Sequence, residues 1–360
     1  MKITDEERMM MNIVPRSCHP SVAAAFLFVA LSFPAPARAT VKVVTTLPSY
    51  AAIAREVGGI RVHAESISRP GEDAHFVKPK PSLALMLQDA DLFVTTGLDL
   101  ELWAPTLVDK SGNARIRDGQ PGFVAASAGV HMLDVPANAS RAAGDVHVYG
   151  NPHIHTSPIN AKVIAANIAA GLERVDPNGA ADYRSGLAAF RRRIDEALYG
   201  KELVELLGSE ALDPLAEKGT LISFLQEKSY RGKPLFDRLG GWMRRALPLR
   251  GKQIIAYHKN WIYFSTLFGL EIVDYVEAKP GIPPSARHVH DLIDLIERRH
   301  VGVLLSATYF APSKPRLIAE RTGCRVVRVP LEPGTPDASD YFALIDLWID
   351  QLLAAFAGGH

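Results

Sequence analysis

Three of the chain's twelve histidines occupy comparable places, at turns where a strand hands over to a helix. His75 ends the run Gly71-Glu72-Asp73-Ala74-His75, just ahead of Pro79-Lys80-Pro81-Ser82 and a helix. His153 sits in Gly150-Asn151-Pro152-His153-Ile154-His155, before a helix from Asn160. His258 directly follows the apolar run Gln253–Tyr257, with Trp261 and Tyr263 beyond it. Neutral imidazole is the commonest protein ligand for zinc and its neighbours, and three of them leave a position for a fourth donor. The intervals between the three are far longer than any local metal motif, so spacing alone leaves each one open to a loop or cap role. The two cysteines, Cys18 and Cys324, cannot build a Cys-rich zinc site or a disulfide framework.

The elements that must position these residues alternate along the chain. Val41–Thr46 reads as a β-branched strand, Tyr50–Val57 as a helix stopped by Gly58-Gly59, and Arg61–Ser68 as a second strand. Leu83–Ala90 follows as a helix capped by Ser82, and Asp91–Thr96 as a third strand. Asn160–Val175 is helical. The same order returns in Gln253–Tyr257 (strand), Trp261–Phe268 (helix), Glu271–Val276 (strand), Val289–Arg299 (helix) and Val301–Ser306 (strand). Arg316–Thr322 (helix), Arg325–Val329 (strand) and Tyr341–Phe356 (helix) complete it. Short apolar strands alternating with amphipathic helices predict an α/β fold of mainly parallel sheets, whose ligands bind at the carboxyl ends of the strands. Two lobes are expected, 40–180 and 251–360. Between them, 181–250 holds a long amphipathic helix over Asp182–Leu198 and an irregular or partly helical insertion at about 200–240, which Gly208, Pro214, Gly219, Gly232 and Pro234 interrupt.

Composition narrows the function class. Of 360 residues, 48% are hydrophobic and 22% charged, which places the chain among folded proteins rather than disordered ones. Forty basic residues against 39 acidic ones leave a net charge of +1, without the basic excess of a nucleic-acid binder. Residues 1–39 read as a secretory signal: Arg16, the short apolar run Val22–Leu31, then Ala37-Arg38-Ala39, with cleavage before Thr40. The apolar run is shorter than a membrane span of about 20 residues. Cys18 precedes the apolar core, which excludes it as a lipid-bearing residue at the cleavage point. The exported chain would be neutral and hold Cys324 alone.

Blocks of residues in a set order then carry a resemblance. Residues 41–356 resemble the metal-specific solute-binding proteins of ATP-binding cassette importers, the periplasmic zinc/manganese receptors. The likeness lies in Gly71–Ser82 (GEDAHFVKPKPS), Gly97–Trp103 (GLDLELW), Gly150–Ala161 (GNPHIHTSPINA) and Tyr257–Leu270 (YHKNWIYFSTLFGL). It continues through Pro280–Ser285 (PGIPPS) and Ile318–Gly323 (IAERTG). The resemblance implies two lobes joined by a long helix, with the metal in the cleft between them. It maps the ligands onto His75 and His153 from the first lobe and His258 from the second. Where the family often supplies an acidic fourth ligand, this chain has Val329 and Ala307. Glu332, Asp337, Asp340 or a water remain for that place, Glu332 first. The insertion at 200–240 is a second departure. His155 is expected to pack or to support the site. His131 and His147 are too few to form a metal-gathering loop, and His288, His290 and His300 are explained by helix ends.

Three imidazoles favour a borderline ion over magnesium or calcium, and the missing carboxylate favours zinc over manganese. The implied function is capture of a divalent metal, zinc first with manganese as the alternative, and its delivery to a membrane permease by a monomer that performs no catalysis. Two other classes stand beside it. A periplasmic metal chaperone or buffer would use the same site. A secreted zinc hydrolase would need a general base and a substrate pocket, and no His-Glu-x-x-His or nucleophile-elbow motif is present.

Overall fold

The computed structural model describes residues 40–136, 147–277, 279 and 281–358; the expected export signal, 1–39, lies outside them. Strands β1 (Val41–Thr45), β2 (Val62–Ser66), β3 (Leu92–Thr95) and β4 (Phe123–Ala125) form a sheet in the order β2-β1-β3-β4. Every pairing is parallel, with Val43 opposite both Ala64 and Leu92. The neighbours Val43 and Val44 point to opposite faces and neither is exposed, so this sheet is covered on both sides, as a parallel sheet must be. Helices α2 (Pro81–Gln88) and α3 (Ala104–Ser111) cover one face, where Leu87 and Leu107 pack with Val44 and Phe93. Helices α1 (Pro48–Gly58) and α4 (Pro158–Val175) cover the other, with Ile53 and Ile164 against Val43 and Leu92. Neither β4 nor α3 is in the sequence expectation: three and eight residues are too short for a periodic pattern to speak.

Helix α5 (Ala180–Tyr199) then runs 20 residues, about 30 Å. It packs on α1 and α4. Gly186 permits that approach, because a Cβ there would stand 2.1 Å from the Val57 carbonyl oxygen. The chain leaves α5 at Gly200 and comes back to the same point at Gly240, whose N–H donates to the Tyr199 carbonyl at 2.8 Å. Between these points lie α6 (Lys201–Leu207), α7 (Ser209–Glu217), α8 (Leu221–Glu227) and a small hairpin, β5 (Ser229–Tyr230) with β6 (Lys233–Pro234). The helices are short because Gly208 and Gly219 break them with positive φ. More of this stretch is helical than the sequence suggests: Leu203, Leu212, Leu221 and Leu225 are buried in the main core and hold the helices in place.

Helix α9 (Gly241–Arg245) leads into the second sheet. Strands β7 (Gln253–Ala256), β8 (Glu271–Tyr275), β9 (Val303–Ala307) and β10 (Arg325–Val329) pair in parallel in the order β10-β9-β7-β8. Helices α10 (Ile262–Phe268) and α13 (Tyr341–Ala357) pack one face through Phe264 and Trp348. Helices α11 (Ala286–Arg299) and α12 (Ser313–Thr322) pack the other through Leu292 and Ile318. One apolar cluster runs unbroken from β1 and α1 through α4, α5 and α9 to β7, β9 and α13, so the two lobes share a core. Phe190 of α5 meets Phe342 of α13 edge-on, with 5.8 Å between ring centroids.

Candidate metal centre

Each expected histidine is held by a local device that its own sequence provides. In the loop after β2, Asp73 opens a short turn. Its Oδ1 accepts from the backbone N–H of His75 at 3.0 Å and from the ring Nδ1 at 2.7 Å. The Trp103 indole N–H donates to the Ala74 carbonyl at 2.7 Å and pins the turn to the lobe. The same device recurs before α4. Asn151 Oδ1 accepts from the N–H of His153 at 3.0 Å and from its Nδ1 at 2.9 Å. The Asn151 amide nitrogen donates across the cleft to the Lys259 carbonyl at 2.7 Å, which fixes the way the amide faces. His258 follows β7, and its Nδ1 lies 2.5 Å from Oε2 of Glu277, just past the neighbouring strand β8.

These oxygens settle the tautomers. A carboxylate or amide oxygen accepts, so each of the three rings carries a proton on Nδ1 and leaves Nε2 as the atom free to serve as a ligand. The three residues bring their ligand atoms within 4.8 Å of one another. Ring centroids stand 5.2 Å apart for His75 and His153, 5.3 Å for His75 and His258, and 5.6 Å for His153 and His258. Nε2 of His153 and Nε2 of His258 are buried with no hydrogen-bond partner. Buried polar atoms are ordinarily satisfied, so two orphans aimed at one point mark a place for a cation. Burial, reinforced by neighbouring histidines, holds the His153 pKa well below the usual value, and burial lowers that of His258. Both rings therefore stay neutral, the form a metal needs. Burial pushes the Asp73 carboxyl up, but the hydrogen bonds it accepts from the His75 ring and backbone outweigh that and hold it below the usual range.

The structure brings together His75, His153 and His258, while Glu332 lines the void beside them with one oxygen bonded to Ser49. Glu332 leaves β10 buried, and its Oε2 accepts from the Ser49 N–H at 2.9 Å and the Ser49 hydroxyl at 2.6 Å. Its Oε1 lies 3.1 Å from His155 Nε2. Helix α1 belongs to the first sheet and β10 to the second, so Glu332 ties the lobes together at the edge of the site. Asp340 is also committed, accepting from the Ala343 N–H at 2.8 Å as the cap of α13. His155 is buried, and its ring stands edge-on to Tyr50 at 6.3 Å. The void beside Asp73, His75, His153, His155, Tyr309 and Glu332 has a volume of about 10 Å³. That is room for an ion or one water.

One residue that the sequence reading passed over as a loop histidine lies against His75. His147 is buried, and its Nε2 lies 3.3 Å from His75 Nε2. Asp99 holds it, with Oδ1 accepting from His147 Nδ1 at 2.9 Å and Oδ2 from the Val148 N–H at 3.0 Å. The available signals were two: Asp99 within the block Gly97–Trp103, and a histidine six residues ahead of His153 in the same loop. Neither has helical or strand spacing that would aim it at the others.

Known proteins share this fold. A family described as the periplasmic component A of a zinc-uptake complex matches residues 43–199 and 235–355, leaving 200–234 between the matched stretches. An iron-binding protein of Yersinia pestis, YfeA, is 24% identical over 365 residues, covering 96% of this chain and 99% of its own. The high-affinity zinc uptake system protein ZnuA of Paracoccus denitrificans is 26% identical over 296 residues, covering 72% and 74%. A crystal structure of a zinc-bound ZnuA deletion mutant superposes with a TM-score of 0.65 at 20% identity, over 89% of this chain and all of the other. The fold is theirs: two parallel-sheet α/β lobes flanked by helices. With its matched stretches covering most of its length, this chain belongs to the family of periplasmic zinc-uptake component A proteins.

Proposed function

We propose that this chain captures a divalent transition metal in the periplasm, zinc in the first place, and hands it to the membrane permease of an ATP-binding cassette importer. The observation that carries the reading is the convergence of three Nε2 atoms from both lobes, two of them buried and otherwise orphaned. His75, His153 and His258 hold the ion, and Asp73, Asn151 and Glu277 orient them. Three neutral nitrogens without a converging carboxylate suit zinc better than manganese, which prefers oxygen donors. The void of about 10 Å³ beside His75 and His153 has the size of an ion or one water, which supports the reading of a metal receptor. Relatives named for zinc uptake and for iron binding support metal transport as the setting. Among the described residues no helix is long and apolar enough to cross a membrane. Export with cleavage before Thr40 supports the periplasm as the location, and N-terminal sequencing of the secreted protein checks it.

The test is metal analysis of the purified mature chain under competition. One zinc per chain is expected, retained against manganese and lost in H75A, H153A and H258A. Manganese retained in preference to zinc overturns the assignment of cargo. Zinc uptake by cells with and without the partner permease separates an importer component from a free-standing buffer.

A further inference from the structure

We infer that His147 is the fourth metal ligand and Asp99 the residue that positions it, an inference that rests on the three-histidine reading above. The argument begins with the tautomers. Asp73 accepts from Nδ1 of His75, and Asp99 accepts from Nδ1 of His147 at 2.9 Å. Both rings thereby have Nδ1 anchored on a carboxylate, and their Nε2 atoms face each other at 3.3 Å. A cation placed between two nitrogens so held would be gripped by both rings. The separation of 3.3 Å is long for a hydrogen bond between ring nitrogens. It is the edge expected of a tetrahedral site: nitrogens about 2.0–2.1 Å from one zinc ion lie roughly 3.3–3.4 Å apart. His75 and His147 are thus already at bound spacing, and the ligand atoms of His75, His153 and His258 lie within 4.8 Å of one another.

His147 also meets the chemical requirements of a ligand. It is buried, its ring stands 5.3 Å from that of His75 and 6.0 Å from that of His153, and its other nitrogen is anchored on a carboxylate. The Asp–His–metal arrangement is the one in which an outer carboxylate fixes the ring and raises its basicity. Glu332, the carboxylate that could compete for the fourth place, has Oε2 bonded to the Ser49 N–H and hydroxyl and Oε1 3.1 Å from His155 Nε2. The resulting shell is four neutral nitrogens, and it favours zinc over manganese more strongly than three would.

The experiment uses the mature chain loaded with cobalt(II) as a spectroscopic stand-in for zinc, alongside zinc competition against a chromophoric chelator. With His147 as ligand, the wild-type protein shows the intense visible bands of a four-coordinate site. H147A still binds one metal, with weakened bands and zinc affinity lower by about 100-fold. D99A lowers affinity by roughly 10-fold or more while keeping the four-coordinate bands. H147C introduces a thiolate-to-cobalt charge-transfer band in the near ultraviolet, which only direct contact with the metal can produce. No such band, together with H147A bands like wild type and altered bands in E332Q, overturns the inference in favour of Glu332. Zinc held by H258A as tightly as by wild type instead overturns the three-histidine reading itself.

Discussion

At the residue scale, the site depends on what grips the ring nitrogens that face away from the metal. Asp73 and Asn151 each stand two residues before a histidine and bond both its backbone and its ring; Glu277 reaches His258 from the adjacent strand. Removing such a partner typically costs 10–100-fold in metal affinity. E277A should therefore weaken zinc binding by about that factor with the apo melting temperature little changed, as chelator competition and calorimetry together will show. A pH effect on the metal-free protein follows from burial. His153 and His258 have folded pKa values below the ordinary His value of about 6.5. The unfolded chain then binds more protons between the folded pKa and about 6.5, so stability is full above that window and falls as pH drops through it. Urea titrations of apo protein from pH 8 to 5 should show this loss, and H153A should reduce it. The Asp-x-His and Asn-x-His pairs are local in the chain, but residue type and spacing alone do not assign them as supports. Asp99 with His147 and Glu277 with His258 were not legible, because each pair joins segments far apart in the chain.

At the element scale, α4, α5 and the inserted helices are locked by one buried charge cluster. Lys162 of α4 places Nζ 2.5 Å from Asp195 of α5 and 2.5 Å from Asp213 of α7, and the Tyr199 hydroxyl donates to Asp213 at 2.8 Å. Leaving one sign of charge buried and unpaired costs about 3–5 kcal/mol. K162M should lower unfolding free energy by that order in urea titration, whereas D213N, which leaves Lys162 paired with Asp195, should cost less. Much of the α/β order was legible here, because β-branched runs ended by glycine and proline speak locally. The helices of 201–227 were not: their leucines become a core face only once α4 and α5 stand beside them.

At the scale of the whole molecule, one core and one set of cross-cleft contacts join the lobes. Ser49 to Glu332, Asn151 to the Lys259 carbonyl, and the Tyr341 hydroxyl to the His155 carbonyl at 2.8 Å all span the two sheets beside the site. A ligand that binds only the folded state stabilises it by about 4 kcal/mol at a thousandfold excess over its Kd. Zinc should accordingly raise the melting temperature by on the order of 10 °C in one shared transition, chelator should reverse the rise, and H258A should abolish it. Two separated transitions, only one of them moved by zinc, would show that the lobes unfold independently despite the shared core.

The sequence by itself laid out the alternation of strands and helices, because strand, turn and cap preferences act over a few residues, while the choice of three histidines came from the resemblance to a family. It also marked 200–240 as extra without saying how that stretch packs. Tertiary structure alone decided the rest. Where a side chain points after a loop depends on partners supplied by other elements: Ser49 and His155 hold Glu332 beside the converging set, and Asp99 turns His147 toward His75. A metal centre shared between two lobes is a meeting of distant segments, and only the packed core brings those segments within the few ångströms over which coordination acts.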